Sequence, residues 1–280
     1  MSALEPNVDA TQLAVARALA EGSVELPALP RVAYEVSAAA RDPNCGAADI
    51  SRLLERDPTL CARVLRVANS AVFGTQAQVV SVRQAVARVG ATEVATLAMT
   101  AAVQAALLER GAYQEWLDAW WRRAFSTALV AKEIARARKR PVDSPFLCGL
   151  LHRVGAPVVL RILARQRPCP GADEIDLDRI VAAFELEAGR VLCAAWNLSA
   201  PVRATVSCIA GGEEPGEFAE QVHTVRLALE LVVRLVEKHE ENASALHGLP
   251  SAVALDLYPE DLDRLGGLMP AIGTAVGAMR

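Results

Sequence analysis

Apolar positions recur along this chain at the three- and four-residue spacing that lines one face of a helix, and the polar residues between them fall where helices start and stop. Asp9 and Gln12 read as an N-cap and its box partner, with Leu13, Ala16 and Leu19 on one face and Gly22 as the stop. After the rigid segment Leu26-Pro27-Ala28-Leu29-Pro30, a second helix is predicted through Val32, Val36 and Ala39 up to Asp42-Pro43, and Ile50, Leu53 and Leu54 mark a short third that ends near Asp57. Asp57-Pro58 pairs an N-cap with a proline at the first helical position, which starts a helix through Leu60, Val64, Val67 and Ala68. Ser81 and Gln84 form a capping-box pattern ahead of the stripe Val82, Ala85, Val86 and Val89, which Gly90 closes. A long helix then runs from Thr92 to about Arg110.

Beyond Gly111 the pattern repeats. Helices are expected from Trp116 to Arg140, Phe146 to Val154, Val158 to Leu163, Ile180 to Trp196 and Val202 to Ile209, and along the stripe Val222, Val225, Leu229, Val232 and Val236. Gly211-Gly212 and Glu213-Glu214-Pro215 read as a surface loop, and the tail carries one more helix from Pro259. No run alternates with period two, so the expected class is all-α, a multi-helix bundle in two packed lobes. The boundaries expected are residues 1–111 for the N-terminal lobe, 112–240 for the second lobe and 241–280 for a C-terminal helical extension.

Composition supports helices packed closely together. Of 280 residues, 52% are hydrophobic but only 4% aromatic, so Ala, Val and Leu must supply most of the core. The net charge of -4 and pI near 5.7 have the wrong sign for a phosphate-backbone partner, so nucleic acid is not expected. The basic cluster Arg136, Arg138, Lys139 and Arg140 precedes Pro141 at a helix end, where cations complement the dipole. The six cysteines Cys45, Cys61, Cys148, Cys169, Cys193 and Cys208 show no CxxC pair and read as reduced core residues. No charged-then-apolar leader opens the chain, and Arg, Glu or Gly interrupts the apolar runs before the ~20 residues of a membrane span. A cytoplasmic location without membrane association is therefore expected.

Several unrelated local signals occur in one order. They are Leu26-Pro27-Ala28-Leu29-Pro30, Asp57-Pro58, the run Leu65-Arg66-Val67-Ala68-Asn69-Ser70 with Phe73-Gly74, and Ala85 through Gly90. Further on come Trp121, the run from Phe146 to Gly155, Gly189, and Trp196-Asn197-Leu198. Over about residues 20 to 240 the chain resembles the HDOD family, relatives of the HD phosphohydrolases. In those enzymes His and Asp side chains from several helices clasp divalent metals, which polarise a phosphoryl oxygen and activate water. Adjacent His and Asp on one helix project about 100° apart and hold the metals from either side.

Here the pair is His152-Arg153, and a guanidinium stays protonated with no lone pair to give. By the same resemblance the other His positions of the enzymes fall on Arg123, Glu185 and Ile209. Only His152 remains a good ligand and Glu185 a conceivable one. The expectation is no catalytic residue, no metal and no cofactor, with Arg123, His152, Arg153 and Glu185 forming a vestigial pocket. The resemblance implies bacterial signal transduction with protein partners, against the alternative of a phosphohydrolase acting on a nucleotide or cyclic dinucleotide.

Each singled-out residue has a plain reading beside the functional one. His152 suits a core histidine hydrogen-bonded to a neighbour, and Arg123, Arg153 and Glu185 suit a structural Arg-Glu ion pair. The sharper version of that cluster is an anion site for a phosphate-containing ligand. Asn69-Ser70 suits a helix-end cap and turn, with partner binding as its alternative. Trp120, Trp121 and Trp196 suit core positions whose indole N–H groups need acceptors. His223, His239 and His247 have no metal-like spacing and read as surface or helix-flank residues.

Overall fold

A computed structural model describes residues 5–69, 79–108, 111–166, 169, 175–238 and 243–277. In chain order the helices are α1 (Glu5–Ala20), α2 (Arg31–Ala39), α3 (Ala47–Glu55), α4 (Pro58–Ala68), α5 (Val82–Val89), α6 (Ala91–Leu107), α7 (Gln114–Ala137) and α8 (Asp143–Leu151). They continue as α9 (Gly155–Ala164), α10 (Leu177–Ala195), α11 (Ala200–Gly211), α12 (Ala219–Leu231), α13 (Pro250–Ala254), α14 (Pro259–Gly266) and α15 (Met269–Gly277). Short 3₁₀ turns cover Gly216–Phe218 and Ser244–Gly248, and a π-helical turn covers Val232–Glu237. Among the described residues there is no strand, so the protein is all-α.

The helix starts follow the capping chemistry. Asp57 accepts from the backbone N–H of Leu60 at 2.9 Å, and Ser81 Oγ accepts from Gln84 N at 3.2 Å. The Gln84 amide oxygen reaches back to Val80 N, one residue outside the expected box partner. Helix α1 begins at Glu5, so Asp9 lies inside it and is not its cap. The tail holds α13 and α15 in addition to the helix at Pro259. Pro250 opens α13 at its first position, a start signal as clear as the one at Pro259.

The chain forms two compact units that differ from the sequential lobes expected from the sequence. One comprises Met1–Pro27, Leu107–Glu230 and Gly248–Leu257; the other comprises Ala28–Ala106, Leu231–His247 and Tyr258–Arg280. Helix α1 therefore belongs with the second half of the chain, where it packs on α9 and α10, and the C-terminal residues are divided between the units. A helix joins the surface its apolar face fits, and chain order alone does not state which surface that is.

In the unit containing α7, the core is built on Phe125, Leu150, Leu151, Leu160, Ile180 and Leu192, each no more than 1% exposed. Burying a side chain of this size contributes about 1.5–3 kcal/mol. Phe125 stacks on Trp121 and meets Phe146 edge to face. In the other unit Val36, Ile50, Leu54, Val64 and Ala85 close the contact of α2 through α5. The stretch Asp143–Ala164 is long and apolar enough by composition to cross a membrane, contrary to the reading of interrupted runs. The chain folds it as α8 and α9 on either side of a turn, with most of it buried in the core.

The helix ends also absorb motifs that carried a second reading. Lys139 adopts a left-handed φ of 55°, and Arg140 N returns to Ala135 O at 2.9 Å to close α7. Its basic neighbours are paired, Arg136 with Glu133 and both Arg138 and Arg140 with Glu220. Asn69 clasps Val79: its Nδ2 donates to the Val79 carbonyl at 2.8 Å and its Oδ1 accepts from Val79 N at 2.7 Å, while Nδ2 also reaches Leu65 O. Ser70, Phe73, Gly74 and His239 lie outside the described residues.

Candidate functional site

The site is assembled from the unit containing α7 to α11. Helix α7 places Trp116, Trp120 and Arg123 at successive four- and three-residue intervals, which puts them on one face. Opposite them is the turn His152–Val154 between α8 and α9. Two glycines pin that turn. A Cβ on Gly149 would lie 2.7 Å from Ala128 Cα, so α8 presses backbone to backbone against α7. A Cβ on Gly155 would lie 1.8 Å from the Glu185 carbonyl oxygen, so α9 presses more closely still on α10. Trp120 Nε1 donates to Arg153 O at 3.1 Å and holds the turn from the α7 side.

Around this turn lies a cavity of about 280 Å³ lined by Trp116, Trp120, Arg123, His152, Arg153 and Asp178 among others. Trp116 Nε1 donates to the exposed Asp178 carboxylate at 2.9 Å. Glu185 stands behind the lining and is 6% exposed. One of its oxygens accepts from Nε of Arg153 at 2.9 Å and lies 2.8 Å from Nη2 in the same ion pair. Burial raises the Glu185 carboxyl above its ordinary range, and Arg153 offsets part of that shift. Arg153 and Glu185 thus form an ion pair beside His152. Ile209, the remaining aligned position, is not among the lining residues.

His152 is 1% exposed. Its Nδ1 lies 2.7 Å from the carbonyl oxygen of Gly149, which can only accept, so Nδ1 carries the proton and Nε2 holds the lone pair. Nε2 is buried and has no hydrogen-bond partner. Burial, opposed by the bond to Gly149 and aided by the charges of Arg153 and Arg123, lowers the imidazole pKa to about 4. The ring is neutral at physiological pH.

The donor set does not fit a pair of divalent metals. Among the described residues no three His, Cys, Asp or Glu side chains gather as a metal-binding group. The guanidinium groups beside His152 oppose a cation, and among the described residues the only nearby buried carboxylate is engaged by Arg153.

Sequence reasoning located Arg123, His152, Arg153 and Glu185, and the structure brings all four together. It missed Trp116 and Asp178, and it favours a core position for Trp120, which is buried and also lines the cavity. The spacing of Trp116, Trp120 and Arg123 was the available signal. The other buried indoles behave differently: Trp196 Nε1 donates to Pro27 O at 2.7 Å, whereas Trp121 Nε1 is buried without a hydrogen-bond partner.

The helices define an all-α protein with the fold of the HD-like class. The chain belongs to the HDOD family, whose domain pattern matches residues 26–210. Among solved structures it is similar to a candidate metal-dependent phosphohydrolase from Shewanella amazonensis SB2B, with 20% identity and a TM-score of 0.72 over 98% of this chain and 100% of that one. An HDOD domain protein of unknown function from Geobacter sulfurreducens matches with 22% identity and a TM-score of 0.72 over 96% and 98% of the two chains. A Treponema pallidum (strain Nichols) protein of uncharacterised function is 27% identical over 213 residues, which are 72% of this chain and 40% of that protein. The match thus spans less than half the length of that relative.

Proposed function

We propose that this chain is a non-catalytic scaffold of bacterial signal transduction that acts through protein–protein interaction. The observation that carries the reading is the Arg153–Glu185 ion pair beside a single neutral histidine. A two-metal hydrolase needs several convergent lone-pair donors, and this arrangement supplies one imidazole nitrogen flanked by cations. HDOD membership supports a signalling role, with a cytoplasmic location and protein partners as its natural setting.

Incubation of the purified protein with Mn²⁺ or Mg²⁺ and a panel of nucleotides and cyclic dinucleotides tests the reading. It predicts no turnover above buffer, together with a stoichiometric protein partner on affinity capture from the native host. Hydrolysis that disappears in His152→Ala would instead establish a phosphohydrolase.

A further inference from the structure

Positive charge gathers at one place in the sequence. From Pro58 to Thr92 the chain holds four arginines and no Lys, Asp or Glu, so the net charge of -4 divides into +4 for this stretch and -8 for the remainder. Among the described residues Arg63, Arg66 and Arg83 pair with no carboxylate, whereas Arg52 and Arg56 beside α3 are paired with Asp49 and Glu35. Arg66 and Arg83 are exposed and Arg63 is partly so. Arg63 and Arg66 stand three residues apart on α4, off the face that buries Leu60, Val64 and Ala68. The Asn69–Val79 clasp joins the end of α4 to the approach to α5, so Arg66 lies one turn before it and Arg83 four residues after it. Val80, between the two helices, is 67% exposed. Arg66 complements the dipole of α4, but Arg83 stands in the first turn of α5, at the positive end, with no acidic residue there to offset it. Helix stability therefore does not account for Arg83.

We propose that the α4–α5 junction is a docking surface for an acidic segment of a partner protein, whose carboxylates are taken by Arg63, Arg66 and Arg83 and whose apolar side chain rests on Val80. Every cation in this stretch is an arginine, the side chain whose fork matches a carboxylate with two parallel hydrogen bonds. The extent of the patch also selects the partner. Helix α4, of 11 residues, is ~16 Å long, which fits inside one protein–protein interface. A nucleic-acid strand or a bilayer would reach past it and meet the acidic remainder of the chain, whereas a short acidic segment need touch the patch alone. The inference rests on the scaffold reading and names the chemistry of its partner.

The probe is a fluorescein-labelled peptide of Ala-Glu-Glu-Ala repeats, read by fluorescence anisotropy on the full chain. Its counterpart with Gln in place of Glu, a short single strand of DNA and phosphatidylserine vesicles are the comparisons. The Glu peptide is expected to bind at low ionic strength and to weaken as salt rises, and the Gln peptide not to bind. The triple variant Arg63→Gln, Arg66→Gln, Arg83→Gln should weaken the Glu peptide roughly tenfold or more. A control triple, Arg17→Gln, Arg136→Gln, Arg264→Gln, removes the same charge from exposed ion pairs elsewhere and should leave the affinity within about twofold. Equal losses in the two triples, or no binding of the Glu peptide at millimolar concentration, would overturn the proposal. So would tighter binding of the DNA or the vesicles through the same three arginines. Because the peptide stands in for the native partner, these results remove the surface without deciding the scaffold reading, which capture from the native host tests separately.

Discussion

Arg153 donates a hydrogen bond from Nε to one oxygen of Glu185 and brings Nη2 into ion-pair contact with the same oxygen, joining the turn after α8 to the middle of α10 across thirty-two residues of sequence. Removing one partner leaves the other charge buried, which typically costs 3–5 kcal/mol, whereas replacing both with apolar residues of similar volume is often neutral. Because Arg153 is partly exposed, Glu185→Leu is expected to lose about 3 kcal/mol in urea unfolding. The double variant Arg153→Met, Glu185→Leu should recover most of that loss. A double variant no more stable than Glu185→Leu would show that the pair is not what the carboxylate is kept for.

The same stretch of α10 carries the Gly155 contact. No L side chain fits 1.8 Å from a carbonyl oxygen, so Gly155→Ala must move α9 off α10. The expected cost is at least ~3 kcal/mol. A small change in melting temperature would contradict this packing.

Acidification acts on His152. Its pKa is about 4 in the folded protein, below the ordinary 6.5, so the unfolded chain takes up a proton that the native state refuses. Its contribution to stability is fully present above pH 6.5 and is lost as pH falls toward 4, amounting to about 3 kcal/mol. Glu185, held above its ordinary range by burial, acts in the opposite direction. The measurement is therefore the difference between wild type and His152→Gln. That difference should be flat above pH 6.5 and sloped below it, and a difference independent of pH would show that His152 is not buried as a neutral ring.

Much of this was legible in the sequence because it is local. Asp57-Pro58 and Ser81 mark helix starts that the backbone obeys, and the apolar stripes of α3, α5 and α10 are the buried faces. That Arg153 cannot coordinate a cation follows from residue chemistry alone. What the sequence did not show depends on which helices meet. Gly149 and Gly155 are unremarkable in a string of letters, and their role exists only because Ala128 and Glu185 lie against them. Helix α1 could not be placed with α9 and α10 from its own pattern, and Asp178 becomes a site residue only because Trp116 reaches it.

The sequence fits Asn69 either as a cap or as part of a binding motif, and its amide is engaged by the backbone on both sides. Asn69→Ala removes its bonds to Leu65 and Val79 at an exposed position, for an expected loss of about 1–2 kcal/mol. Thermal unfolding measures it. An unchanged midpoint would free this side chain for the partner-binding role.

The guanidinium groups beside His152 leave a site that opposes divalent metal. Elemental analysis of protein purified from medium supplemented with Mn²⁺, Fe²⁺ and Zn²⁺ tests it most directly. The account predicts well under one divalent ion per chain, unchanged by His152→Ala; one or two ions per chain, lost in that variant, would contradict it.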